Sequence, residues 1–343
     1  MNHQVITTQI KDKAANDCIA VVIPCYKVHQ QILDVISKIG SECSLIYVVD
    51  DCCPEHTGKL VESTVTDERV HVIYHAENEG VGGAVISGYR AAIANGADII
   101  VKVDGDGQMD PRLIPSFVEP ILSGEADYTK GNRFYLLEEI RAMPKIRLWG
   151  NSILSFMSKV STGYWNLFDP TNGYTAIHAE VARYLPFRKI SKRYFFETDM
   201  LFRLNTSRAV VVDIPMHARY EDEESNLKIS TVITEFFYKH LRNIIKRIFY
   251  NYYLRDLSLA SFELVLGCCL FTFGFCFGIY SWLDSLALGT TTSAGTVMLA
   301  ALPILMGLQF ILAFLGYDIS RVPSQSIHKK LSGWSCIIED ESK

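Results

Sequence analysis

The 343-residue chain has no basic excess: 33 Lys and Arg face 38 Asp and Glu, giving a net charge of −5. It therefore carries no electrostatic footprint for nucleic acid, and no nucleic-acid partner is expected. Polar Met1–Asp17 contains no apolar run, so no signal peptide is read there. Nine cysteines occur, and none stands at zinc-site spacing. Adjacent Cys52-Cys53 reads as ordinary loop thiols. A composition of 49% hydrophobic and 21% charged residues excludes the disordered and fibrous classes.

The most informative absence is charge in the last third. Leu264–Leu283 (LVLGCCLFTFGFCFGIYSWL) and Ala294–Tyr317 (AGTVMLAALPILMGLQFILAFLGY) hold no charged side chain. Each reaches the roughly 20 residues that cross a bilayer, and Pro303 is tolerable in such a helix. Two transmembrane helices are expected, at about 261–283 and 294–317 within a segment 259–318. Lys239, Arg242, Lys246, Arg247 and Arg255 precede them, and Arg321, Lys329 and Lys330 follow. The connection Asp284–Ser293 has no Lys or Arg, so the positive-inside rule puts both flanks in the cytoplasm. Cytoplasmic thiols stay reduced. Residues 231–258 mix aromatic and basic side chains at helical spacing, which suits a juxtamembrane amphipathic helix. A tail, 319–343, closes the chain.

Ahead of these lies the soluble part, 18–230, after an N-terminal tail of 1–17. Apolar runs at 18–24, 45–51, 70–75 and 97–104 read as strands. Helical patterns at 29–40, 57–66 and 82–95 separate them. Such alternation predicts an α/β domain with a mostly parallel sheet and ligands at the strands' carboxyl ends. A helix over 150–160, a helical segment 194–204 and a strand over 209–216 follow. NEGVGGAVISGYRAA (78–92) superficially resembles a dinucleotide fingerprint. It follows the third strand rather than the first, however, so its glycines are read as turn and packing residues.

VKVDGDGQMD (101–110) places Asp104, Asp106 and Asp110 just past a buried strand. Close anions repel unless a cation shares them. An EF-hand fails, because Met109 and Pro115 stand where Gly and Glu are needed. An aspartyl-phosphate phosphatase fails at Gln108, where Thr or Val is usual. A divalent cation bridging a nucleotide diphosphate remains, since Mg²⁺ and Mn²⁺ take one or two carboxylates plus phosphate oxygens. Gly105 and Gly107 let backbone approach a ligand, and Asp110-Pro111 caps and starts a helix.

With VVIPCYK, YVVDD, NEGVGGAVISGYRAA, VDGDGQMDP, KGNRF and DPTNGYTAI in this order, residues 18–230 resemble the family 2 inverting glycosyltransferases of the GT-A fold. More narrowly, the chain is similar to the dolichyl- or polyprenyl-phosphate sugar synthases, in their membrane-anchored bacterial form. The resemblance implies an inverting, metal-dependent transfer of one hexose from a UDP- or GDP-sugar to a polyisoprenyl phosphate at the cytoplasmic face of the inner membrane. Pro24, Tyr26 and Asp51, with Asp104, Gly105 and Asp106, would hold the nucleotide sugar. Asp104, Asp106 and Gln108 would surround Mg²⁺ or Mn²⁺. Arg133 and Arg147 would grip the acceptor phosphate, with Arg219 and Lys228 in the downstream basic segment. Asp169 would lie beside sugar or acceptor, which makes Asp106, Asp169, Arg133 and Arg147 the catalytic set. The downstream segment departs from the family's pattern, with Asn226 where Lys is usual and an inserted acidic run at 221–224.

Two other readings stay open. A hydroxyl acceptor would use Glu197 or Asp199 as general base. A membrane scaffold with a degenerate nucleotide-sugar domain would use neither. Homo-oligomers through the helical segments are compatible with either.

Overall fold

The computed structural model describes residues 17–135, 145–217 and 229–331. They divide into two compact units, Met1–Asn243 with Pro323–Lys343, and Ile244–Val322.

In the first unit, seven strands form one sheet: β1 Ile19–Cys25, β2 Leu45–Asp50, β3 Val70–Tyr74, β4 Ile99–Lys102, β5 Tyr128–Asn132, β6 Thr175–His178 and β7 Val211–Pro215. Their order is β3-β2-β1-β4-β6-β5-β7. Every β1 residue is buried, as expected of a central strand covered on both faces. All pairings are parallel except those of β6 with β4 and with β5. Since β6 alone runs backwards, its amino end meets the carboxyl ends of the other six at one sheet edge. Pro24, expected to end β1, instead lies inside it opposite Val49, beyond the last β1–β4 pair, Val22–Lys102. A missing N–H is tolerated at such a position.

Helices α1 (Ile32–Ser37), α2 (Thr57–Thr64), α3 (Val81–Ala94) and α4 (Ile114–Leu122) connect the early strands. A Cβ on Gly88 would come within 2.3 Å of Val22 Cγ1, so α3 lies directly against β1. Asp110 accepts a bond from the Arg112 amide and opens the 3₁₀ turn Pro111–Leu113 that leads into α4. Helices α5 (Lys145–Thr162), α6 (Ala179–Tyr184) and α7 (Phe196–Thr206) complete the domain, and α8 (Ile229–Phe249) leaves it. The second half of α8 is held by His240, 2.8 Å from Ser161 Oγ, and by Asn243, which donates to Asp199. After the long apolar helices the chain returns to the first unit: the amides of Ile327 and His328 donate to buried Asp127, and His328 Nδ1 lies 2.7 Å from it.

The second unit contains α9 (Leu259–Leu288) and α10 (Ala294–Ser320), both longer than the uncharged windows that announced them. Their most apolar windows have mean hydropathy 2.0 and 2.3 and are only 11% buried. A core helix would bury such a surface, so both are suited to a bilayer. Glycines let the two backbones touch: a Cβ on Gly307 would lie 2.5 Å from Phe271 N, and one on Gly274 2.7 Å from Ala300 O. The amphipathic pattern continues past α8 as a π-helical turn, Tyr250–Arg255. One of its expected surface cations is not at the surface. Arg247 is 3% exposed and pairs with Asp318 through bonds of 2.6 and 2.9 Å. Tyr252 donates to the same carboxylate.

Candidate functional site

At the carboxyl edge of the sheet, β4 ends in a buried lysine. Lys102 is 1% exposed, with Nζ 2.9 Å from Asp104 Oδ1 and 3.3 Å from Glu197 Oε1. Burial works against its charge, but the two carboxylates prevail and hold its pKa above the usual lysine range. The acidic turn is thus built on a fixed internal cation. Asp106 stands two residues further on and accepts the Gln108 amide at 3.0 Å. Gly107 takes φ +80°, which turns the chain back toward α4. Two half-buried carboxylates on one turn at the sheet's carboxyl edge suit a divalent ion that completes its shell with phosphate oxygens.

Gly173, just before β6, closes over this pair. A Cβ there would come within 2.6 Å of both Asp104 Oδ2 and Lys102 Nζ. Gly173→Ala should therefore push the acidic turn aside. Turnover at this site should fall by roughly 10–100-fold, as small misplacements of reacting groups do. Steady-state kinetics beside a thermal melt would test this, and unchanged kinetics would refute the contact.

Arg133 follows β5 and is held by Asp169, with Nε–Oδ2 of 2.7 Å and Nη2–Oδ1 of 3.1 Å. Asp169 is fully buried. Burial alone would raise its pKa, yet the Arg133 guanidinium keeps it below the usual carboxylate range. Asp169 thus holds the Arg133 guanidinium in place through both of its oxygens. Beneath it, Lys130 Nζ donates to the Asn172 carbonyl. Burial pulls Lys130 down to about 8 and pushes neighbouring Asp213 up to about 6.

The three residues expected around the nucleoside separate. Tyr26 is 46% exposed, whereas Pro24 is buried in β1. Asp51 is also buried, and its carboxylate accepts the Glu79 and Gly80 amides at 2.9 and 2.8 Å and faces His75 Nδ1 at 2.7 Å. It shapes the loop that starts α3 rather than offering an open carboxylate. Neighbouring Asp50 is similarly used by the Cys53 and Gly58 amides.

The acidic pair on α7 also splits. Glu197 joins Lys102 at the site. Asp199 is 6% exposed and turned away, its oxygens taken by the Ser191 amide and Asn243. The two candidate bases thus have different partners, Lys102 for Glu197 and the Ser191 amide with Asn243 for Asp199. Arg147 lies in the first turn of α5. Arg219, Lys228 and the acidic run 221–224 lie outside the described residues.

Lys102 and Lys130 escaped sequence reasoning. The available signal was a lysine within each strand, IIVK and YTKGN, immediately ahead of a site motif. Beside Arg133, an apolar groove of about 220 Å³ is lined by Phe134, Leu148, Phe156 and Phe168, with Lys159 at its wall. Phe156 and Phe168 are 59% and 54% exposed.

A seven-stranded α/β sheet with an acidic turn and an arginine at its carboxyl edge is the architecture of a nucleotide-sugar transferase, and comparison with known proteins agrees. The model of Glycosyl transferase family 2 matches residues 20–185. The undecaprenyl-phosphate mannosyltransferase of Micrococcus luteus is 32% identical over 173 residues, 50% of this chain and 70% of that protein. The UDP-N-acetylglucosamine–dolichyl-phosphate N-acetylglucosaminyltransferase of Methanococcus voltae is 28% identical over 222 residues, 61% of this chain and 88% of that one. In fold, the chain is similar to glucosyl-3-phosphoglycerate synthase from Mycobacterium tuberculosis, solved with Mn²⁺, UDP-glucose and phosphoglyceric acid. The TM-score is 0.52 at 18% identity, covering 70% of this chain and 82% of that one. The chain belongs to glycosyl transferase family 2, in its dolichyl- and polyprenyl-phosphate sugar synthase group.

Proposed function

We propose that the protein transfers one hexose, with inversion, from a UDP- or GDP-sugar to a polyisoprenyl phosphate at the cytoplasmic face of the inner membrane. Its product would serve cell-surface glycan or glycolipid modification. The observation that carries this reading is the cation beside the groove: Arg133, locked by Asp169, adjoins Phe134, which lines the apolar groove. A lipid phosphate suits such a pairing, a fixed guanidinium charge for the phosphate and an apolar wall for the first isoprene units. The relatives' names, undecaprenyl-phosphate and dolichyl-phosphate transferases, support the same acceptor.

Asp104 and Asp106, with Gln108, would hold Mg²⁺ or Mn²⁺, whose charge would offset that developing on the departing diphosphate. Tyr26 would meet the nucleoside, and Arg147, Arg219 and Lys228 would add to the acceptor-phosphate site. A phosphate acceptor, with a second pKa of about 6 by analogy with phosphorylated side chains, is already mostly ionised at neutral pH. It needs little help from a base. A hydroxyl acceptor would need one, and Glu197 is tied to Lys102. That pairing favours the phosphate. The basic flanks of α9 and α10 support a cytoplasmic catalytic unit with both termini on that side.

The test gives full-length protein in detergent undecaprenyl phosphate, Mg²⁺ or Mn²⁺, and labelled UDP-glucose, UDP-N-acetylglucosamine or GDP-mannose in turn. Label should enter the lipid phase with one donor. Phe156→Glu should raise KM for undecaprenyl phosphate about tenfold and leave donor KM unchanged, since a carboxylate would face an apolar chain. Donor hydrolysis without lipid labelling would move the acceptor assignment to a hydroxyl.

A further inference from the structure

A second concave site lies on the first unit, and its lining holds no residue of the acidic turn. It is a cavity of about 210 Å³ at the start of α7 and along the middle of α8. Five cations line it: Arg188, Lys189, Arg203, Lys239 and Arg242. Asp199 is the acid in its lining, and both its oxygens are already bonded, to the Ser191 amide and Asn243. Lys239 has an outside partner, Glu235 at 2.6 Å, and lies over the Phe195 ring. Arg203 is the most committed of the five. Its Nη2 donates to the Lys189 carbonyl at 3.2 Å, while its Nε is buried and lacks an acceptor among the described residues. Burial, with Arg242 adding to it against the pull of Asp199, holds Arg203 below the usual guanidinium range.

Gathering five like charges around one hollow costs free energy unless an anion shares them. On an ordinary solvated face the side chains would splay apart and keep every donor in water. Here one guanidinium is partly withdrawn from water with a donor left over. Guanidinium forks select planar or tetrahedral oxyanions, and phosphate above all. We propose that this cavity is a second anion site, one that binds a phosphoryl group, separate from the acceptor and donor phosphates of the transfer site. The group could belong to a membrane lipid headgroup or to free phosphate, and the chemistry of recognition is common to both.

Full-length protein in a neutral detergent is titrated with inorganic phosphate and, separately, with short-chain phosphatidylglycerol, and ³¹P NMR line widths follow binding. Arg188→Gln/Arg242→Gln alters two exposed side chains, so the fold should survive. Arg203→Gln tests the half-buried donor. Wild type should bind at least one probe, with affinity about tenfold weaker in the double variant, as loss of charge-assisted bonds predicts, and weaker at higher salt. Binding of lipid alone assigns the cavity to a headgroup, whereas binding of both probes assigns it to the phosphoryl group itself. Equal affinity in wild type and double variant, or no binding of either probe, overturns the proposal. Because transfer activity is not the readout, this result and that of the proposed reaction are independent.

Discussion

Asp106→Asn should lower sugar transfer about a thousandfold while leaving the melting temperature nearly unchanged. The carboxylate sits on a half-buried turn past β4, so little packing depends on it. Its proposed task is electrostatic: with Asp104 it holds the charge that offsets the departing diphosphate. Groups that act on charge developing in the transition state typically account for 10²–10³ in rate. An amide keeps the shape and loses the charge, so the defect should lie in kcat more than in lipid KM. Parallel assays of transfer and thermal unfolding in detergent would check this. An Asp106→Asn protein that turns over within a few-fold of wild type would remove the acidic turn from the reaction.

Lys102→Met should fail for a different reason. The change swaps a buried ammonium for an apolar chain of similar length and strands Asp104 and Glu197 beside each other. Removing one partner of a buried ion pair typically costs 3–5 kcal/mol. The variant should therefore unfold at clearly lower denaturant and transfer sugar poorly. Adding Glu197→Gln should recover part of the stability, because one of the two stranded charges is gone. If the single variant were as stable as wild type, or the double variant less stable than the single, the lysine would not be the organising charge of the site.

Much of this architecture was legible in the sequence. The strands β1 to β4 are runs of Ile and Val bounded by turn residues, and buried parallel strands have few other ways to be written. The two membrane-type helices were announced by their lack of charge. What stayed hidden was β5 and β6. YTKGN and TAIH are short, carry polar residues, and show no alternation, because their lysine and threonines are buried as well as their apolar residues. The site motifs marked the right edge of the sheet. They could not tell a side chain that faces the cleft from one that supports it. Asp51 and Asp169 both proved to be buried acceptors, of backbone amides and of a guanidinium. Such roles depend on contacts between residues distant in sequence, such as Asp51 with Gly80 or Arg133 with Asp169, and no local pattern encodes them.

The bond between Asp127 and His328 sets a timetable for synthesis. Asp127 lies in the middle of the catalytic domain's sequence, yet three of its partners, the Ile327 and His328 amides and the His328 ring, are made only after both apolar helices have left the ribosome. Until then a buried carboxylate at the start of β5 has, among the described residues, the Val210 amide to hold it. The last turn of the catalytic unit thus closes after the membrane hairpin has been made. A nascent chain released before residue 326 would carry the whole acidic turn and groove with this clasp still open. Since the chain leaves the catalytic unit by α8 and rejoins it at Ser326–His328, any membrane it threads must be crossed an even number of times.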